Sequence, residues 1–307
     1  MVVACYLNKN LWKRMGTEKV NEYITRIQEL KNLPTLPIIA TEILRIVRED
    51  RLSVNQMLPV IEKDPPLAMK ILHIANSAYY GVRREIKSLR NAIVMLGLNE
   101  ISRIALAFSV IRVLSPKDGE IDWRDLWRHS IACGYIAQII AERVGLGIYD
   151  GLYSLGLLHD VGKIILYKVD SDNYLKVFEE IKNGSGEDCE KKYFGLTHEE
   201  AGEIVANKWK LPVEFVTVIG HHHNVDGIDD EKLKDIAAII NIADYLTYLI
   251  DMNFASTETV ESIEMLSGWK WLSAKFDFIR DLTSESVKDE VRSNLLRIKE
   301  LIIQEEI

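Results

Sequence analysis

The chain has 307 residues, 48% of them apolar and 27% charged, enough to bury one large or two medium cores and unlike a disordered or fibrous composition. A net charge of -8 argues against generic nucleic-acid or anionic-membrane binding, which needs surplus Lys and Arg. Cys5, Cys133 and Cys189 form no zinc-type spacing and no even framework, and neither Met1–Leu7 nor any later apolar run has the length of a signal or of a span of ~20 residues. A soluble, cytoplasmic protein is therefore expected.

Apolar residues recur at three- and four-residue spacing nearly throughout, so the predicted fold class is all-α. A first helix covers Glu18 to Lys31, and Leu33-Pro34-Thr35-Leu36-Pro37 breaks it, because proline lacks a donor and restrains its predecessor. The next helix carries Ile38, Ile39, Ile43, Leu44 and Val47 on one stripe. Ser53 is placed to cap a third helix. Asp64-Pro65-Pro66 opens a fourth, with Asp at the N-cap and Pro in the first turn. His73, alone among apolar neighbours in that helix, reads as a core or interface histidine rather than a ligand. Tyr79-Tyr80-Gly81 ends the helix. Ser88 caps Leu89–Leu96, Gly97 stops it, Leu98–Leu114 forms a central helix, and Ser115-Pro116-Lys117-Asp118-Gly119 is the best boundary in the chain.

Three of these blocks together, Leu33–Pro37, Asp64–Gly81 and Ser88–Leu98, resemble the signature of bacterial HDOD domains. Their order over about 65 residues makes the resemblance specific. It extends from about Asn32 to Leu249 and implies an all-helical fold of the HD superfamily with a regulatory or signalling role. The expected organisation is an N-terminal HDOD subdomain over 17–116, an HD-type metal-binding subdomain over 117–252 and a helical extension over 253–307.

Six of the seven histidines lie between His129 and His223. Asp122-Trp123 opens a long helix bearing Asp125 and His129, four apart and on one face. His159-Asp160 follow an apolar helix ending, Thr197-His198 stand at a helix start, and His221-His222-His223 end a helix beginning near Val213. Asp244 sits in the apolar helix Ile236 to Ile250. Singly, each has a bland reading as a surface ring, a cap or a helix-end cation. Asp244 is the exception, since a carboxylate among Ile239, Ile240, Ile242 and Ala243 needs a cation or donors if buried. As a set, ring nitrogens and carboxylates suit a divalent metal.

The set also resembles that of the HD phosphohydrolase superfamily. The resemblance implies that His129, His159, Asp160 and Asp244 hold one metal. His198 with two of the histidine run matches the further ligands of HD-GYP phosphodiesterases, which bind two or more ions. His222 and His223 are preferred there, with His221 and His222 open. Asp125 matches an optional acidic ligand. The implied cofactor is a pair of Fe, Mn, Zn or Mg ions bridged by Asp160. Asp160 and Lys163 would be the catalytic residues, Lys163 neutralising phosphate charge.

Asp226-Gly227 is followed by Ile228-Asp229-Asp230, so the Gly-Tyr-Pro loop is missing and cyclic di-GMP hydrolysis is disfavoured. Beyond Asp251 two or three helices are expected, with Trp269 and Trp271 as packing anchors. An amphipathic last helix, Glu285 to Gln304, docks on the bundle or pairs with a second copy in a homodimer. Two functions stay open: a signalling module binding a partner protein, and a phosphohydrolase acting on a nucleotide-type phosphoester. Neither nucleic acid nor membrane is expected as a partner.

Overall fold

A computed structural model describes residues 18–30, 36–49, 53–76, 85–117, 119–145, 151–184, 189–248, 252, 254, 262–281 and 289. The described elements are helices, with no strand among them. The N-terminal half comprises α1 (Glu18–Glu29), α2 (Ile38–Arg48), α3 (Val54–Glu62), α4 (Pro65–Ala75), α5 (Leu89–Leu96) and α6 (Leu98–Leu114). Several ends obey their sequence signals. Asp64 accepts from Leu67 N and Ser88 from Asn91 N, while Gly97 takes φ 84°, the left-handed region open to glycine. Ser53 stands at its predicted N-cap, but its hydroxyl meets the Gln56 side chain at 3.4 Å instead of a backbone amide.

Of the two expectations for His73, core or interface, its exposure removes the first. Pro65, Met69 and His73, at i, i+4 and i+8, share one solvent-facing stripe of α4, while Leu67, Ile71 and Ile74 are buried. The apolar letters around His73 hid that stripe. Of the break over Leu33–Pro37, Pro37 stands as the N-cap of α2, and 33–35 lie outside the described residues. So do the Tyr79–Gly81 helix end and all of the last helix over 285–304 but Asp289.

The second half is built on α7 (Trp123–Val144), started by Asp122 accepting from Arg124 N and ended by Gly145 at φ 64°. Around it come α8 (Leu152–Leu158), α9 (Val161–Val169), α10 (Ser171–Lys182), α11 (Cys189–Phe194), α12 (His198–Lys208), α13 (Val213–His221) and α14 (Glu231–Tyr248). Two short helices follow, α15 (Ser267–Ser273) and α16 (Asp277–Arg280). Helix α14 starts five residues before the apolar run, because the polar Glu231–Asp235 turn continues the same helix. Trp271 of α15 is half-buried, donates to Asp235 Oδ1 at 2.7 Å and lies under the Lys234 and Lys275 ammoniums. No single helix among the described residues is long and apolar enough to cross a membrane.

Two glycine contacts set how closely the site-bearing helices approach. A Cβ on Gly156 would lie 2.4 Å from the Gly134 backbone, so α7 and α8 touch main chain to main chain. A Cβ on Gly162 would lie 1.8 Å from His198 O, so α9 and α12 do likewise. Real Cβ contacts do not reach these distances, and no larger side chain fits unless the helices separate.

Candidate metal centre

Each histidine of the cluster comes from a helix end or a helix interior that fixes its ring. His129 lies inside α7; His159 ends α8 and Asp160 precedes α9; His198 is the first residue of α12; His222 and His223 follow α13; Asp244 lies in α14. His198 is set by a full capping box, Thr197 Oγ1 accepting from Glu200 N and Glu200 Oε2 accepting from Thr197 N at 2.9 Å. Packing of α7 against α8 and α14, and of α9 against α12, brings these chain-distant residues into one buried cluster.

On the outer side of four of the five rings stands an acceptor. His159 Nδ1 donates to Gly156 O at 2.7 Å, His222 Nδ1 to Ile219 O at 3.0 Å, and His198 Nδ1 to Glu190 Oε2 at 2.8 Å. His129 Nδ1 is shared between Thr247 Oγ1 at 2.9 Å and Met252 O at 3.1 Å. With the proton held on Nδ1, the Nε2 atoms of His159, His198 and His222 offer lone pairs, and the Nε2 atoms of the cluster point at one another. His129 and His159 are 3.2 Å apart at Nε2, His198 and His222 3.2 Å, His198 and His223 3.0 Å.

The carboxylate of Asp160 lies between the two sets. Its Oδ2 is 3.3 Å from His129 Nε2 and 3.5 Å from His159 Nε2, with Asp244 Oδ1 completing that side at 3.1 Å from His129. Its Oδ1 faces His198 at 3.3 Å and His222 at 3.6 Å, and no hydrogen bond reaches that buried oxygen. Ligand atoms sharing one ion at ~2.1 Å stand roughly 3.0–3.4 Å apart. The residues therefore fit two cation positions, one among His129, His159, Asp244 and Asp160, the other among His198, His222, His223 and Asp160.

Electrostatics agree with that demand. Burial pushes the Asp160 carboxyl up, but the Lys163 ammonium and the His159, His129 and His222 rings outweigh it and hold the group well below the usual range. Asp244 is likewise held well below it, its histidine neighbours overcoming burial. Burial alone would lower His129, yet Asp160 and Asp244 raise it to about 9, so without a metal a proton serves these carboxylates. His222 moves the other way, driven well down by burial and by His223.

Of the predicted set, the structure brings together His129, His159, Asp160, His198, His222, His223 and Asp244. His221 stays outside, so the pair in contact is His222 with His223. Asp125 is exposed and binds Arg128 at 2.7 Å, away from the cluster. Lys163 is buried and bonded to Asp160 Oδ2 at 2.6 Å. Sequence reading missed the supports. Glu190 receives both N–H groups of His198, Thr247 bears on His129, and Asn241 donates to His222 O at 2.7 Å while accepting from Gly268 N. Asn241, a polar residue in the apolar context of α14, carries a sequence signal; Glu190, in a polar stretch, carries none.

Known proteins supply the frame. The HDOD domain profile matches residues 33–225, stopping short of Asp244. An uncharacterized protein of Treponema pallidum (strain Nichols) is 24% identical over 213 residues, covering 68% of this chain and 41% of the relative. The chain thus spans less than half the length of that relative. A crystal structure of an HDOD domain protein with unknown function from Geobacter sulfurreducens is 26% identical, covers 92% of this chain and 99% of that one, and superposes with a TM-score of 0.75. A structure bearing a phosphohydrolase name, from Shewanella amazonensis SB2B, shares the fold at 21% identity and TM-score 0.63, over 94% and 97% of the two chains. This all-helical chain belongs to the HDOD family.

Proposed function

We propose that the chain is a regulatory, signal-transducing HDOD protein that retains a metal centre of the HD type. It would use His129, His159, Asp160, His198, His222, His223 and Asp244 as ligands for two divalent cations. The observation that carries this reading is Asp160, one buried carboxylate facing two groups of converging ring nitrogens, with one oxygen reached by no hydrogen bond. Five imidazoles and two carboxylates favour Fe, Mn or Zn over Mg. The regulatory role rests on family membership; Lys163, a buried ammonium bonded to Asp160, would orient that carboxylate.

A second reading, a phosphohydrolase acting on a nucleotide-type phosphoester, is favoured by the paired arrangement itself. Metals so held supply an activated water and polarise a phosphoryl oxygen. In either case Glu190, Gly156 O and Ile219 O hold the ring protons on Nδ1, and Lys163 orients Asp160. Elemental analysis of purified protein tests the common part: about two metals per chain are expected, and none in Asp160→Ala. Protein without stoichiometric metal would overturn both readings. Metal-dependent hydrolysis of a nucleotide or cyclic dinucleotide by wild type, lost in Asp160→Ala, would decide for the enzyme.

A further inference from the structure

Helix α15, beyond the last cluster residue in the chain, is bonded to one half of the cluster and not to the other. Ala238 and Asn241 of α14 meet Gly268, while Asp235 receives the Trp271 indole, so α15 runs antiparallel along α14 and brings its first turn toward the cluster. The seat is close. A Cβ on Gly268 would lie 2.6 Å from Asn241 Oδ1, 2.9 Å from Ala238 O and 3.0 Å from Ala238 Cα. Two hydrogen bonds hold this first turn: Gly268 N donates to Asn241 Oδ1 at 3.0 Å, and Ser267 Oγ accepts from Val225 N at 3.0 Å.

Both lead to the turn that carries His222 and His223. Asn241 is buried, and its amide is used on two sides: Oδ1 receives Gly268, while Nδ2 donates to His222 O at 2.7 Å and to His223 O at 3.4 Å. These carbonyls lie just past the end of α13, where no amide of that helix can receive them. One side chain thus fixes the main chain of the two rings that face His198. Asn241 stands three residues before Asp244, on the same face of α14. The other half of the cluster is held differently, His159 by Gly156 O and His129 by Thr247 Oγ1 and Met252 O. Among the described residues no hydrogen bond joins α15 to His129 or His159.

We propose that α15 governs the cation held by His198, His222 and His223, with Asn241 as the positioning residue that passes the seat of Ser267-Gly268 to the main chain of His222 and His223. The inference rests on the two-cation reading of the cluster and assigns a regulation to it. An amide bonded on both sides cannot follow a displaced Gly268 and keep its grip on His222 O. Lifting α15 therefore loosens one cation position and leaves the one among His129, His159 and Asp244 as it is.

Stepwise cobalt titration of the metal-free full chain, followed by absorption, tests this. His198→Ala and His129→Ala, each abolishing one step, assign the two positions. Gly268→Ala places its Cβ against Asn241 Oδ1 and alters no ligand. It should weaken the His198 step about tenfold or more, change the absorption of that ion, and leave the His129 step within about twofold. Ser267→Ala removes only the acceptor of Val225 N; a loss of about threefold at the His198 step is expected, and this variant decides should Gly268→Ala fail to fold. A merely structural role for α15 would lower Tm and weaken both steps together. Wild-type affinity at the His198 step in both variants, or equal loss at both steps, overturns the inference and leaves the two-cation reading standing. Wild type that takes up no cobalt overturns both.

Discussion

Replacing Gly162 by Ala probes the contact that brings the two halves of the cluster together. The added Cβ would lie 1.8 Å from His198 O, 2.7 Å from His198 C and 2.9 Å from Gly202 N. All three are backbone atoms, so no side chain can rotate away. Restoring ordinary contact at about 3.4 Å requires α9 and α12 to separate by roughly 1.6 Å. Overpacking of this kind costs about 3 kcal/mol, the upper part of its usual range. At about 2 °C per kcal/mol for a chain of this size, Tm should fall by about 6 °C. Gly184→Ala is the control: φ there is 75°, nothing lies within 4 Å of its Cβ, and only backbone strain of about 1–2 kcal/mol is incurred. Separation also carries His198 away from Asp160 Oδ1, now 3.3 Å distant. Differential scanning calorimetry with elemental analysis should thus find Gly162→Ala less stable than Gly184→Ala and poorer in metal. Equal melting temperatures and equal metal content would refute the steric argument.

Three further outcomes follow from particular groups. Without metal, His129 holds its extra proton below about pH 9, so a metal must displace it. Affinity at that position should fall about 50-fold from pH 9 to pH 7, about 2.3 kcal/mol, with proton release in chelator-competition titrations; a pH-independent affinity would contradict this. Glu190→Gln removes the charge that receives His198 Nδ1–H and should weaken the cation at the His198 side by about 10–100-fold, leaving the His129 side intact, as read by stepwise cobalt titration. Glu203 is raised from 4.5 to about 7 by burial and by Glu200 and Glu199. Its neutral form suits the fold, so stability is intact below about pH 4.5 and is lost as pH rises through 7. Glu203→Gln should raise Tm at pH 8 and leave it unchanged at pH 4, where calorimetry at both values is decisive.

Helix ends were legible because their signals are local. Asp64, Ser88, Gly97, Asp122 and Thr197 each act within a few residues of themselves. The cluster was legible as residue types in order, since five imidazoles and two carboxylates are rarely aligned without a shared partner. What the order lacks is direction. His129 and Asp125 share a nominal face of α7, yet Asp125 lies one turn, ~6 Å, nearer the helix start and is taken by Arg128. His221 still belongs to α13 while His222 and His223 follow it, and where the chain leaves the helix decides which two rings meet His198. Glu190 was illegible altogether: it stands on α11, and its contact with His198 arises from the turn between α11 and α12. The core alternative for His73 failed for another reason, an exposed stripe in a helix whose letters are nearly all apolar.

Two rings of the cluster donate to the carbonyl three residues behind them, His159 to Gly156 and His222 to Ile219, at the ends of α8 and α13. The last carbonyls of a helix have no amide of their own helix to receive, and here that deficiency selects the tautomer of an imidazole. The rotational freedom of both rings is consequently lost during folding and not at ion capture. A chelator should then empty such a cluster without melting the bundle, the reverse of small domains whose fold exists only around their ion.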